Sequence, residues 1–485
     1  MLSRRQMLAG LGAAVVFGFD PVKRTWISEA QASPFDHLPE LDGMVATDPA
    51  SLAQYASDAG SIIHNTPVAV LFPGSVRDIQ KMVRFSRRHD IKVACRGQGH
   101  TTFGQSQVAG GLVIDMGALN QIHSITATQA DIDAGATWKD LTLAAFPLGF
   151  TPPVLTGYIN LSIGGTLSVG GISGAYEAGA HVDHVQELEV VTGTGDIKRC
   201  SRHKNRDLFE ACLAGLGQCG IITRAIVDLV PAKPLARAFL LHYTDSAQYF
   251  ADYRILLNRG EFVRAFTLLF PDGAGGWIYQ LNVIQFHDPG DEPDGDFLLR
   301  DLSLPPEAAT VQDTTYLDHI LAVDVVIEFF KAIGLWHGVM HPWFDMFFPD
   351  SAIEEYVGEV VPSLTPEDVG PTGFMLIFGL RRSKFQQKLF RLPDCNDGDW
   401  VWLFDILTAA PAPGPDPDFQ ERMLTRNRAL FEQGRAAGAT RYPIGSLEFK
   451  HSDWVRHYGD VWHEFKRAKR RFDPDGILAP GPGIF

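Results

Sequence analysis

Between Ser162 and Gly174 the chain reads Ser-Ile-Gly-Gly-Thr-Leu-Ser-Val-Gly-Gly-Ile-Ser-Gly, five glycines in thirteen residues. Glycine at this density lets a backbone pass close to a flat ring, because no Cβ stands in the way. The interleaved hydroxyls are free to hydrogen-bond to that ring. A second block, Arg96-Gly97-Gln98-Gly99-His100, directly follows an apolar strand over residues 91–95. A glycine-rich turn at a strand end presents backbone N–H groups to an anion such as a pyrophosphate. Either block alone reads equally well as a turn-rich connector. The two together point to opposite sides of one site for a flat, anionic cofactor.

The rest of the chain fits around these blocks. Residues 68–72 read as a strand, 75–88 as an amphipathic helix with Ser75 as its N-cap, and 111–115, 188–192 and 221–230 as further strands. Strands mixed with helices predict an α+β fold. From about residue 231 aromatics and longer polar segments replace the glycine loops. Four segments are expected: 1–32, 33–235, a covering domain over 236–440, and a C-terminal segment over 441–485 that returns to the first domain. In the first of these, Ser3-Arg4-Arg5-Gln6-Met7-Leu8 precedes a mildly apolar run, and Ala30-Gln31-Ala32 offers a small-residue cleavage site. That pattern resembles a twin-arginine export signal, so a periplasmic or secreted protein is expected. The run is well short of the roughly 20 residues of a spanning helix, so no membrane anchor is expected.

A net charge of −15 argues against nucleic acid as a partner, since an acidic surface repels phosphate backbones. The five cysteines, Cys95, Cys200, Cys212, Cys219 and Cys395, show no CxxC spacing and read as free thiols. His181-Val182-Asp183-His184 lacks the further ligands that would complete a metal set, so no metal is expected.

Several motifs resemble one family. The stretch RGQGHTTFGQ (96–105) looks like the flavin-attachment loop of the vanillyl-alcohol oxidase/p-cresol methylhydroxylase flavoproteins, and within them the cytokinin dehydrogenases resemble this chain most. GGTLSVGGISG, ELEVVTGTGDIKRCS, DLFEACLAGLGQCGIITRA, HPWFDMFFP, SDWVRHYG and FDPDGILAPGPGIF follow in the family's order, so the resemblance runs from about residue 67 to the C-terminus. It implies a p-cresol-methylhydroxylase-type (PCMH-type) FAD-binding domain over 33–235, and a substrate domain built on an antiparallel sheet over 236–440. It also implies FAD linked covalently through His100. The doubly linked relatives carry a Cys in the loop matching residues 151–161; this chain has none there, so a single link is expected.

The resemblance further implies that Gly97, Gln98, Gly99, Thr101 and Gln105 surround the cofactor from one side. Gly157, Ser162, Gly165, Thr166, Ser168, Ile172, Ile222 and Tyr442 do so from the other. Where the family has a Ser and a Gln near its C-terminus, this chain has Ala479 and Pro482. The substrate site departs more. The family's proton-accepting Asp falls at Gly157, and its second acidic contact falls at Asn282. A glycine accepts no proton. One new acid appears, because the family's HPWLN is HPWFD here and places Asp345 at the substrate. The expected catalytic set is therefore Asp345 as base, Tyr158 as the fallback polar group, Asn282, and Trp343 packed over the substrate.

The expected function is oxidation of a small amine or alcohol by hydride transfer to FAD, with oxygen, a quinone or a redox protein as electron acceptor. Cytokinin dehydrogenase activity on an N6-substituted adenine is the alternative. A non-catalytic binding protein on a flavoprotein scaffold is the third reading.

Overall fold

The computed structural model describes residues 38–395 and 398–485, together with a two-stranded antiparallel ribbon of Val16–Asp20 and Thr25–Ser28. The double arginine and the cleavage site of the expected export signal lie outside the described residues.

The fold is α+β and is built on two smaller sheets and one large one. In the first sheet Ala69–Phe72, Leu112–Asp115 and Val93–Arg96 run parallel, and Met44–Ala46 pairs antiparallel at one edge. Leu71, Leu112, Val113 and Ile114 are fully buried, as expected for short parallel strands covered on both faces. Helix Val76–Arg88 covers this sheet with Ile79, Met82, Val83 and Phe85. Ser75 begins that helix but does not cap it; its hydroxyl donates to Asp42 instead (2.8 Å). Buried Asp78, in the first turn, accepts from the amides of Asp42, Gly43 and Gly74 and so ties strand 44–46 to the helix. Parallel pairing leaves the end of Val93–Arg96 free, and the first glycine block starts there.

The second sheet is antiparallel and five-stranded: Ile197–Ser201, Val185–Val191, Ile221–Asp228, Gln129–Asp133 and Ile122–Ile125. Residues 181–184 form a 3-10 turn leading into it. His181 packs on Trp138 (4.0 Å between rings), and His184 meets the Ala178 carbonyl and Asp228. The described residues contain no cluster of three or more His, Cys, Asp or Glu able to hold a metal. All five cysteines are unpaired.

Residues 235–441 build an eight-stranded sheet, antiparallel throughout. Alternate side chains of a strand point to opposite faces, and that period decides what each residue does here. In Trp400–Leu407, Trp402, Phe404 and Ile406 enter an apolar core with helices Ser246–Arg259 and Asp350–Val360. Leu403, Asp405 and Leu407 face the other way, onto a large cavity.

The C-terminal segment returns to the first sheet, where Val93 N–H donates to Ile477 and Ala479 N–H donates to Val93 (2.8 Å each). Lys469 fastens this return. Its ammonium donates to the carbonyls of Gln218 and Leu478 and to Asp473, which also accepts from the Ile477 and Leu478 amides. Both side chains of the pair are buried. Lys469→Met strands a buried carboxylate and two carbonyls, so a loss of about 3–5 kcal/mol is expected in denaturant unfolding. A midpoint shift too small to resolve would show that the staple contributes nothing.

Candidate active site

The two glycine blocks meet. A Cβ on Gly97 would sit 1.9 Å from Ser162 Oγ, so only glycine permits this approach of the first block to the second. Gly99 and Gly171 both take positive φ (66° and 74°). Between the blocks and the large sheet lies a cavity of about 1540 Å³. That exceeds the roughly 300–1,000 Å³ that holds one drug-sized molecule, and leaves room for a dinucleotide and a substrate. Every residue assigned to the cofactor from sequence lies on its wall: Gly97, Gln98, Gly99, His100, Thr101, Gln105, Gly157, Ser162, Gly165, Thr166, Ser168, Ile172, Ile222 and Tyr442. Ala479 and Pro482, where the family has polar residues, lie on it too.

Side-chain chemistry fits FAD. Gln105 Oε1 accepts from the Phe103 amide (2.8 Å), which leaves Nε2 buried without a partner on the cavity wall. An orphaned donor beside open amides is matched to an anionic acceptor such as a pyrophosphate oxygen. Tyr442 takes the Gly171 N–H on its phenol oxygen (3.2 Å) and holds the second block in place. Two hydroxyls turn inward instead: Thr166 and Ser168 donate to the carbonyls of Ser162 and Gly164. Thr101 also serves the loop, donating to Asp58 (2.9 Å). Asp58 further accepts from the Gly60 and Gly104 amides and thereby fixes the turn after His100. No motif in the sequence marks Asp58 for this.

His100 stands in an aromatic cage. Its ring lies 5.0 Å from Tyr158, 5.8 Å from Trp336 in near-parallel stacking and 5.5 Å from the edge of Trp343. Trp343 and Trp336 come from the 236–440 segment, so that segment closes over the attachment loop. Burial, together with nearby His341 and Lys331, pushes the imidazole down to about 3. His100 is therefore neutral at any working pH, and one ring nitrogen keeps its lone pair.

The expected catalytic residues divide. Tyr158 lines the cavity, and its oxygen receives Lys331 Nζ (3.3 Å). Asn282 lines it as well, but its amide is occupied by Gln280 and the Phe266 carbonyl. Gly157 leaves open space, with only a Val323 methyl within reach of a Cβ, at 3.7 Å. Asp345 does not line the cavity. It sits one strand behind the wall, directly opposite Asp405, which does. Antiparallel register puts the two carboxyls on one face, and only the outer one meets the cavity.

Sequence reading thus found the rear member of an acid pair and missed the front one. Asp405 lies in the run Trp400–Leu407, an unmarked hydrophobic strand in which a lone acid at an alternate position was the only signal.

Both acids are buried, and among the described residues no hydrogen-bond donor reaches either oxygen of Asp345 or Oδ1 of Asp405. Two carboxylates cannot donate to each other, so they bond only through a shared proton. Burial raises Asp345 to about 7 against the opposing pull of Asp405's hydrogen bond and the Arg441 charge. Burial and the negative charge of Asp345 also raise Asp405 well above the usual carboxylate range. The pair is a one-proton reservoir set at the cavity floor.

A dinucleotide cradle covered by a sheet that carries a buried acid pair is the plan of a flavin-dependent oxidoreductase. Comparison with known proteins agrees. Residues 67–201 match the family profile described as FAD binding domain, and residues 251–485 match the one described as cytokinin dehydrogenase 1, FAD and cytokinin binding. The chain is 34% identical over 442 residues to an uncharacterized oxidoreductase, ORF5 in the fasciation locus of Rhodococcoides fascians, covering 91% of this chain and 99% of that one. It is 30% identical over 478 residues to cytokinin dehydrogenase 2 of Arabidopsis thaliana, covering 92% and 94%. It is 31% identical over 487 residues to cytokinin dehydrogenase 4 of Oryza sativa subsp. japonica, covering 92% and 90%. The chain belongs to the family of FAD-linked oxidoreductases that contains the cytokinin dehydrogenases, and it is an FAD-dependent oxidoreductase.

Proposed function

We propose that this enzyme carries its FAD on a single covalent bond from His100 and oxidises a small amine or alcohol at the cavity floor. The observation that carries the reading is His100 itself, a neutral imidazole on the cavity wall between Tyr158, Trp336 and Trp343. A nitrogen lone pair is what bond formation to an electron-poor ring requires. FAD, when bound, supplies a two-electron acceptor for the hydride of the substrate C–H bond.

The protein's own part is to hold the substrate and remove its N–H or O–H proton. With Gly157 unable to do so, Asp405 is the acceptor, and Asp345 sets its affinity for the proton. Tyr158, whose oxygen receives Lys331 Nζ, orients the donor by hydrogen bond. Residues 33–235 with 441–485 form the flavin part, and residues 236–440 form the roof. The electron acceptor is oxygen, a quinone or a redox protein. Among the described residues no helix is long and apolar enough to cross a membrane.

Precipitation in acid tests the cofactor reading, since a covalently held flavin stays yellow in the pellet. Anaerobic mixing with a panel of amines and alcohols then tests the reaction by bleaching of the flavin. A colourless wild-type protein would overturn the proposal.

One further observation favours a second reading. The match of residues 251–485 to a cytokinin-binding profile makes an N6-isoprenoid adenine a member of the panel. Against it stand the lost acids at Gly157 and Asn282. Bleaching by that compound alone would decide for cytokinin dehydrogenase activity.

The proposal includes export by the twin-arginine route. Replacing Arg4 and Arg5 by Lys is expected to leave the whole chain, signal uncleaved, in the cytoplasm. Periplasmic accumulation at the wild-type level would show that the paired arginines are not an export signal.

A further inference from the structure

Arg264 opens strand Arg264–Pro271 of the large sheet and faces the cavity beside Phe266 and Leu268. It is 9% exposed. Among the described residues its guanidinium makes no ion pair and no hydrogen bond, and its Nε is buried without any partner. An arginine is protonated at any physiological pH, and a buried cation with no counter-ion is costly unless a ligand supplies one.

No acid among the described residues fills that role. Asp405 lies on the same floor, but the row that reaches it runs through Leu268 and Leu376. Arg264 is four residues farther along its strand, which with two strand spacings puts the groups about 16 Å apart. The neighbours of Arg264 are uncharged hydrogen-bonding groups. Asn282 is its diagonal partner on the adjacent strand, where Arg264 itself pairs with Ile284. Gln312 also lines the cavity but stands three strands away, across Ile284 and Ala238. His319 lines it too and is held neutral by burial and by the Arg264 charge.

We infer that Arg264 is the anchor of an anion subsite, and that the substrate of this enzyme bears a carboxylate or phosphate group. The guanidinium fork fits either oxyanion bidentately, with Asn282 and His319 as the nearby polar groups. The inference rests on the oxidoreductase reading only in calling the ligand a substrate. It also gives a physical reason for the missing acids. A carboxylate at position 282 would have neutralised Arg264 and repelled such a ligand.

Calorimetric titration of the purified flavoprotein with benzoate and with benzamide, its neutral isostere, tests the subsite. Benzoate is expected to bind about tenfold tighter or more, as for a charge-assisted hydrogen-bonded pair. Arg264→Met is expected to erase that preference, and Arg264→Lys to keep part of it. Direct titration with inorganic phosphate separates the two ligand classes: binding lost in Arg264→Met admits a phosphate, and no binding restricts the subsite to carboxylates. Equal affinity of the wild type for benzoate and benzamide, together with no phosphate binding, would overturn the inference. So would an undiminished preference in Arg264→Met. Flavin content is measured on each protein. If Arg264→Met loses its flavin while the benzoate preference survives, the guanidinium serves the cofactor and the subsite is refuted. A wild type without flavin would instead defeat the oxidoreductase reading and leave the benzoate comparison standing.

Discussion

A His100→Ala protein is expected to give a colourless acid pellet, with any flavin it binds released to the supernatant. The wild type should keep its colour in the pellet completely. The two glycine blocks, the Gln105 amide and Tyr442 remain in the variant, so weak non-covalent binding survives the loss of the link. The fold should survive as well. His100 makes ring contacts with Tyr158, Trp336 and Trp343 and no hydrogen bond, and such contacts are worth about 0.5–1.5 kcal/mol each. A pellet from the His100→Ala protein that is as yellow as the wild-type one would remove His100 from the attachment. Because burial holds the imidazole near 3, attachment in the wild type should not depend on pH across the physiological range.

The second large effect belongs to Asp405. With a substrate from the anaerobic panel, Asp405→Asn is expected to slow flavin reduction by about 10²-fold or more, the usual loss on removing a general base. Asp345 acts through Asp405 and is a positioning residue, so its variant should read differently. In the wild type the acid pair must be free to take up the substrate proton. Flavin reduction should therefore rise with pH through about 7, where the first proton leaves the pair. In Asp345→Asn the like charge is gone and the new amide donates to Asp405, which lowers its proton affinity. The rise should move to lower pH, with a plateau within a fewfold of wild type.

Stability carries the same sign. A folded-state value near 7 lies above the roughly 3.9 of an unfolded Asp, so the native state holds an extra proton between them. The stabilisation is full below about 4 and is lost as pH rises through 7. Asp345→Asn should flatten that slope. An Asp405→Asn enzyme within a fewfold of wild type would eliminate Asp405 as the base. An unshifted profile in Asp345→Asn would eliminate the coupling.

How much of this was legible beforehand depends on how each feature is encoded. The cofactor wall was readable because its demands are local. Glycine is required where Gly97 meets Ser162, and the blocks stand contiguous in the chain. The α+β character followed from the alternation of short apolar strands and amphipathic helices. The acid pair was half readable. Asp345 sits in a motif, HPWFD, but its distance from the cavity depends on which strand comes to lie beside it. That pairing joins residues 344–349 to 401–406, and nothing in either segment announces the other. Asp58 and Arg264 were missed for the same reason. Asp58 takes its role largely from Thr101 and Gly104, more than forty residues away, and Arg264 from having no partner. One small local error had a local cause: Ser75 found its acceptor in Asp42 and not in its own helix.

The strand Trp400–Leu407 has one further consequence. Its even-numbered residues, Trp402, Phe404 and Ile406, build the apolar core, while Leu403, Asp405 and Leu407 meet the ligand. Selection for a new substrate and selection for a folded protein therefore fall on different letters of one short word. Lineages built on this sheet are free to rewrite every second position and leave the scaffold intact, so chemistry drifts while architecture persists.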